Sequence, residues 1–198
     1  MSIMRYISFP KEVSKLPLSY IKLKGEDVFN ITTDAGEVLW LGNNTSLTER
    51  RVFFWDRDID IAIFNNCFKN PFIYEFSVDM PNYYREHKME ISKKYRGKDA
   101  ISLSVDHESM KRELDKYWSL EWSMQNQALC KVLHNILIAD EFVEIYESWI
   151  EEEDENNWYF GPPTSETVIN LEELPTLPRS TETLEFGERT KLTIHKTG

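Results

Sequence analysis

The stretch Asp140-Glu141-Phe142-Val143-Glu144-Ile145-Tyr146-Glu147-Ser148-Trp149-Ile150 decides how this chain is read. Taken at 3.6 residues per turn, it lines up Asp140, Glu144, Glu147 and Glu151 on one face, with Phe142, Tyr146, Trp149 and Ile150 on another. Taken at period two, its β-branched and aromatic residues suit a pleated, half-buried surface better. The strand reading, over about 142–149, sets the order of elements along the chain: strands, then helices, then strands. Segregated elements of this kind predict an α+β fold, with a largely antiparallel sheet and one or two central helices, about 107–138, packed on it.

Upstream, Asp27 to Asn30 and Glu37 to Leu41 flank Asp34-Ala35-Gly36, and Gly36 can take the positive φ of a tight hairpin turn. Val38 to Leu41 is apolar without alternation, as in a strand buried on both faces. Arg51 to Phe64 reads as one strand, with Asp56, Asp58, Asp60 and Ala62 on one face and Arg57, Ile59, Ile61 and Ile63 on the other. Phe72, Tyr74, Phe76 and Val78 share a face of the next strand. Residues 81–99 read as a mixed-charge loop with one helical turn, and Ala100 to Val105 as a short strand. Asp106 is a candidate N-cap. After it, Met110, Leu114, Tyr117 and Trp118 form a helical stripe, continued by Leu129, Val132, Leu133, Ile136 and Leu137. There is no Gly or Pro between the two helical runs. Thr167 to Leu171 and Thr190 to His195 read as late strands. The whole, 1–198, is expected to be a single domain.

The chain has 198 residues, with 6 Trp, 9 Tyr and 11 Phe. A domain of that size buries roughly 70% of the surface its unfolded chain exposes and needs no disulfide or metal staple. Cys67 and Cys130 have no CxxC neighbours and read as reduced, buried thiols, with one long-range disulfide as the alternative. Met1 to Pro10 lacks the apolar core of a signal peptide, and no run of apolar residues is long enough to span a bilayer. These features predict a cytoplasmic protein with no membrane partner.

The formal net charge is −11, and it is not spread evenly. Between Val132 and Pro178 there is no Lys or Arg, but there are twelve acids: Asp140, Glu141, Glu144, Glu147, Glu151, Glu152, Glu153, Asp154, Glu155, Glu166, Glu172 and Glu173. The rest of the chain holds 22 acids against 23 bases, close to neutral. An acidic chain is a poor direct ligand for nucleic acid, whose phosphates need Lys and Arg. It suits a basic partner. Either the stretch is a solvated face, or it is an anionic docking surface whose aromatics act as anchors within a charged rim. On the second reading, the partner-binding residues are Glu144, Glu147, Trp149, Glu151, Glu152, Glu153, Asp154, Glu155 and Trp158.

Motifs for catalysis are weak. Asp56-x-Asp58-x-Asp60 opens like a calcium loop, but Ile61 and Cys67 stand where that loop needs Gly and Glu. The row could still hold a divalent cation for a metal-dependent enzyme. His87, His107, His134 and His195 have no metal-ligand spacing. No Walker A, GxGxxG or GxSxG pattern occurs. No cofactor and no catalytic residue is therefore expected.

The C-terminal half has a recognisable texture. Phe142-Val143-Glu144-Ile145-Tyr146-Glu147-Ser148-Trp149 precedes an acidic turn at Glu151-Glu152-Glu153. A Pro162-Pro163 step, a strand at Val168-Ile169-Asn170-Leu171 and a closing strand from Leu184 to Ile194 follow. Over about residues 100–198 this resembles bacterial immunity proteins of polymorphic and contact-dependent growth inhibition toxin systems. The resemblance implies a non-enzymatic inhibitor that binds and neutralises a cognate basic toxin domain, such as a nuclease, in the producing cell's cytoplasm. It carries no residue over by position. Two readings from other classes stand beside it: a nucleic-acid mimic that inhibits a DNA-binding protein, and a metal-dependent enzyme using Asp56, Asp58 and Asp60.

Overall fold

A computed structural model describes residues 2–12, 20–22, 29–32, 38–46, 51–54, 57–60, 67–79, 90, 94, 100–150, 162–178 and 188–198. The Asp140–Ile150 stretch forms a strand, β8 (Phe142–Ile150). Preceding it are β1 (Ser2–Phe9), β2 (Tyr20–Lys22), β3 (Phe29–Thr32), β4 (Val38–Ser46), β5 (Arg51–Phe54), β6 (Arg57–Asp60), β7 (Phe72–Asp79) and one long helix, α1 (Ala100–Ile136). Following it are β9 (Ser165–Asn170), a 3-10 turn (Leu171–Thr176) and β10 (Arg189–His195). Eight strands form one sheet in the order β2-β3-β4-β7-β1-β8-β10-β9. Every pairing is antiparallel except β10 with β9. The fold is α+β, as the order of elements predicts.

β8 lies inside the sheet between β1 and β10, with Ile7 opposite Ile145 on one side and Leu192 opposite Ile145 on the other. Its side chains alternate between two buried surfaces. Val143 and Ile145 join Ile7, Phe9, Tyr74, Phe76 and Ile194 beneath α1. Glu144, Tyr146 and Ser148 go to the reverse face and are buried as well. A strand covered on both sides has no solvent face, which is why its sequence lacks a clean apolar–polar alternation.

The helix differs from expectation. It is one continuous element of 37 residues that starts at Ala100. Ala100–Val105, read as a strand, is its first turns, and Asp106 lies inside it rather than at its cap. The sequence holds a physical reason: Leu103 stands two turns before Met110, on the same stripe as Leu114 and Tyr117. A short apolar run does not by itself separate strand from helix, and the longer periodicity wins. Among the described residues, the fully buried positions of α1 lie from Asn126 onward. Ala128, Leu129, Val132, Leu133 and Ile136 are buried against the sheet and against Leu171 and Leu174 of the 3-10 turn, whereas Leu120 is 53% exposed.

A second correction concerns Arg51 to Phe64. Instead of one strand there are two, β5 and β6, paired as a separate antiparallel ribbon with Phe54 opposite Arg57. The reversal falls where the apolar run Val52 to Trp55 gives way to the alternating run from Asp56, and no Gly or Pro marks it. The hairpin expected around Gly36 is present as the β3–β4 pair, with Thr32 opposite Val38, while its turn residues lie outside the described ones. β4 continues past Leu41 to Ser46, with a register irregularity between Gly42 and Thr45. The loop read over 81–99 falls outside the described residues apart from Glu90 and Lys94. No described helix is long and apolar enough to cross a membrane.

Candidate functional site

The acidic stretch is built on β8 and its neighbours, and the structure divides it. Glu144 is fully buried on the reverse face. One carboxylate oxygen, Oε2, accepts three hydrogen bonds: from Ser8 Oγ at 3.0 Å, Lys69 N–H at 2.7 Å and Asn70 N–H at 3.0 Å. The other, Oε1, accepts no hydrogen bond and faces Lys191 Nζ at 3.8 Å. Lys191 is nearly as buried and also reaches Glu166 Oε1 at 3.2 Å. Asn70 completes the cluster by donating from Nδ2 to the Phe142 carbonyl at 2.8 Å. The cluster pins the Cys67–Pro71 segment across the sheet, where Phe68 packs on Tyr146 with ring centroids 5.6 Å apart. Glu144 is therefore withdrawn from the candidate interface: a carboxylate sealed beneath this segment cannot meet a partner's cations.

Glu147 is also engaged. It faces the helix side, and Arg5 Nε lies 2.7 Å from its Oε1; the two residues are register partners on β8 and β1. The Arg5 guanidinium sits over the Trp122 ring at 5.6 Å, so the pair ties α1 to the sheet. Trp149 is on β8 with its backbone opposite Ile3. Glu151, Glu152, Glu153, Asp154, Glu155 and Trp158 lie outside the described residues.

What the structure does give is where their segment is attached. It leaves β8 at Ile150, opposite Ser2, and its return is fastened at the same end of the sheet. Thr164 N–H and Oγ1 both donate to the Arg189 carbonyl, at 2.7 and 2.8 Å. Arg189 N–H donates back to Thr164 Oγ1 at 3.0 Å, and Arg189 Nε to the Pro162 carbonyl at 2.9 Å. Five consecutive acids thus sit in a connection anchored at both ends by sheet hydrogen bonds.

The remaining acids are also spoken for. Glu141 pairs with Lys11 at 2.6 Å and accepts the Ile138 N–H at 3.0 Å. Burial acts to raise its pKa, but Lys11, the Ile138 N–H and the nearby Lys196 outweigh it and hold the carboxyl below its ordinary value. Glu172 reaches His134 Nε2 at 3.4 Å. Glu173 accepts the Asn170 N–H at 2.7 Å and caps the 3-10 turn. Asp140 takes a positive φ of 69°, in the left-handed region that Asp tolerates better than most residues. Six of the seven described carboxylates of the stretch have a cation or N–H donor beside them.

The candidate metal row is described only in part. Asp58 and Asp60 lie on β6, paired in backbone register with Phe53 and Arg51, and Asp56 lies outside the described residues. Among the described residues, no group of three or more His, Cys, Asp or Glu is placed to hold a metal ion. His134 is on the exposed side of α1, and His195 packs on Phe142 at 5.2 Å. Cys67 and Cys130 form no disulfide and are buried. Burial, with a smaller contribution from Glu172, pushes the Cys130 thiol up, so it is a poor nucleophile. Burial, then Glu75 and Tyr146, likewise keep the Tyr6 phenol protonated.

Sequence reasoning missed Ser8, Asn70 and Lys191. They come from three separate segments, and only the sheet order places them around Glu144. No family model, no curated protein sequence and no solved structure matches this chain.

Proposed function

We propose that this chain is an immunity protein: a non-enzymatic inhibitor that binds and neutralises a basic toxin domain in the cytoplasm of the cell that makes both. The observation that carries the reading is the placement of charge. The described acids of the 132–178 stretch largely have a cation or N–H donor beside them, and the longest unbroken acidic run of the stretch in sequence is Glu151, Glu152, Glu153, Asp154 and Glu155. That run sits in a connection whose two ends are fixed to one end of the sheet. An anchored row of carboxylates flanked by Trp149 and Trp158 suits a surface rich in Lys and Arg, such as the substrate groove of a nuclease. Charges of this kind speed encounter, and desolvated rings slow release. The resemblance of residues 100–198 to immunity proteins agrees with this and supports the strand at 142–150.

The test is co-expression with the C-terminal domain of any large secreted protein whose gene lies immediately upstream. Growth should be rescued by the natural chain. The triple reversal Glu151→Lys, Glu152→Lys, Glu153→Lys should slow association by about ten-fold or more at low salt and flatten its salt dependence. Full protection by the triple variant, with unchanged association, would remove the acidic segment as the interface. Failure of the natural chain to bind or protect would remove the reading itself.

A further inference from the structure

The two edges of the eight-stranded sheet are built differently. The β2 edge is only three residues long. The β9 edge, Ser165-Glu166-Thr167-Val168-Ile169-Asn170, is six residues in unbroken register with β10. Short strands, Lys, Pro and bulges are the usual means of blunting a sheet edge. β9 has none of these. All its residues except Ile169 are exposed, and Val168 is 66% exposed.

The backbone orientation of this edge follows from bonds on the other side of β10. Lys196 N–H donates to the Glu141 carbonyl, and its own carbonyl accepts the Asp140 N–H, so Lys196 turns both groups toward the β8 side. By alternation, Lys191, Thr193 and His195 turn theirs toward β9. In a parallel ladder each of these bonds to the residues flanking its register partner. Lys191, opposite Glu166, thus engages Ser165 and Thr167, and Thr193 engages Thr167 and Ile169. Glu166, Val168 and Asn170 then direct their backbone groups outward. The Asn170 N–H is taken by Glu173, as an outward group must be. The N–H and C=O of Glu166 and Val168 form an open ladder, with no described strand on its far side.

We infer that β9 is a docking edge that takes an extended Lys- or Arg-bearing segment of the partner protein as a further strand. The basic character of that segment rests on the function proposed above; the open ladder does not. β9 and the turn after it carry Glu166 and Glu172, whose neighbours Lys191 and His134 leave their side chains partly open to a second cation, and Glu173, which caps the turn; the sequence has no Lys or Arg from Val132 to Pro178. The Glu166 and Glu172 side chains are 52% and 64% exposed. A second copy added across this edge would set these carboxylates near their own kind, whereas alternating cations would meet them. Main-chain bonds give such an added strand its affinity and side chains its selectivity.

The probe is a synthetic eight-residue peptide of alternating Lys and Val, compared with the same peptide N-methylated at every second residue. The full chain should bind the first, and amide exchange at Glu166 and Val168 should slow by about ten-fold or more at saturation. It should bind the N-methylated peptide at least about ten-fold more weakly. Val168→Pro removes an outward N–H and should abolish binding. If that variant fails to fold, Val168→Lys keeps the strand, adds a repelling cation and should weaken binding at low salt. The triple reversal at residues 151–153 should leave both peptide affinity and exchange protection intact, which separates this edge from the acidic segment. Equal binding of both peptides, no binding at millimolar peptide, or a concentration-dependent dimer of the chain that Val168→Pro dissociates would overturn the inference.

Discussion

The two faces of the sheet bury their residues by different means. Under α1, the core is mainly apolar: Ile7, Phe9, Tyr74, Phe76, Val143, Ile145 and Ile194 meet Leu129, Val132, Leu133 and Ile136. On the reverse face, one residue along each strand, Ser8, Glu144 and Lys191 are buried with Tyr6, Tyr146 and Asn70. The first face is held by area removed from water, which is non-directional and forgiving of shape. The second is held by hydrogen bonds to a charge, which are directional and unforgiving when one partner is lost. Burying a carboxylate costs several kcal/mol before pairing, and here three donors and one ammonium offset that cost. The reverse face therefore contributes a fixed position for residues 67–71 more than it contributes stability.

The comparison breaks most sharply at Glu144. Glu144→Gln keeps shape but removes the buried one of the two carboxylates that compensate Lys191, and should lower unfolding free energy by about 3 kcal/mol in urea denaturation. Adding Lys191→Met should return part of that loss. An effect below about 1 kcal/mol would mean that water already reaches the cluster. On the helix face, Leu133→Ala should cost about 2–5 kcal/mol, while the volume-conserving Leu133→Met should cost less than about 1.5 kcal/mol. A near-isosteric change is thus expected to be mild on one face and severe on the other.

Smaller effects come from the pairs at the sheet's ends. Glu141 has its pKa lowered in the folded state, chiefly through Lys11. The stability it contributes is present above the unfolded carboxylate value of 4.5 and is lost as pH falls through the lower folded value. Lys11→Met should accordingly destabilise by less than about 1 kcal/mol at neutral pH, since Lys11 is 45% exposed, and the difference from the natural chain should vanish in acid. Denaturation midpoints measured across that range check the sign. Arg5→Ala removes the Glu147 pair and the guanidinium over Trp122. It should cost about 1 kcal/mol or less and should raise exposure of Trp122, read as a shift in tryptophan emission.

Much of the fold was legible. β-branched and aromatic residues marked β8, the Met110–Leu137 stripe marked the helix, and Gly36 marked a hairpin. Where the reading failed, local pattern was ambiguous for a stated reason. Ala100–Val105 is a short apolar run that two periodicities accept, and Arg51–Asp60 reverses direction with no residue that announces it. The site was legible only as composition. Twelve acids without a base between Val132 and Pro178 are visible in one dimension, but Glu144 and Glu147 look the same there as Glu151 to Glu155.

The sequence by itself determined the class of fold, the segregation of negative charge and the β character of 142–150, because these follow from residue type and spacing along the chain. Tertiary structure alone decided which acids are already used. Arg5, Lys11, His134 and Lys191 reach their carboxylates across 38 to 142 positions of sequence. Strand order and register, and not distance along the chain, set which charges meet. The same register turned Glu144 inward, gave the 151–161 connection its two anchors, and left β9 as an open edge.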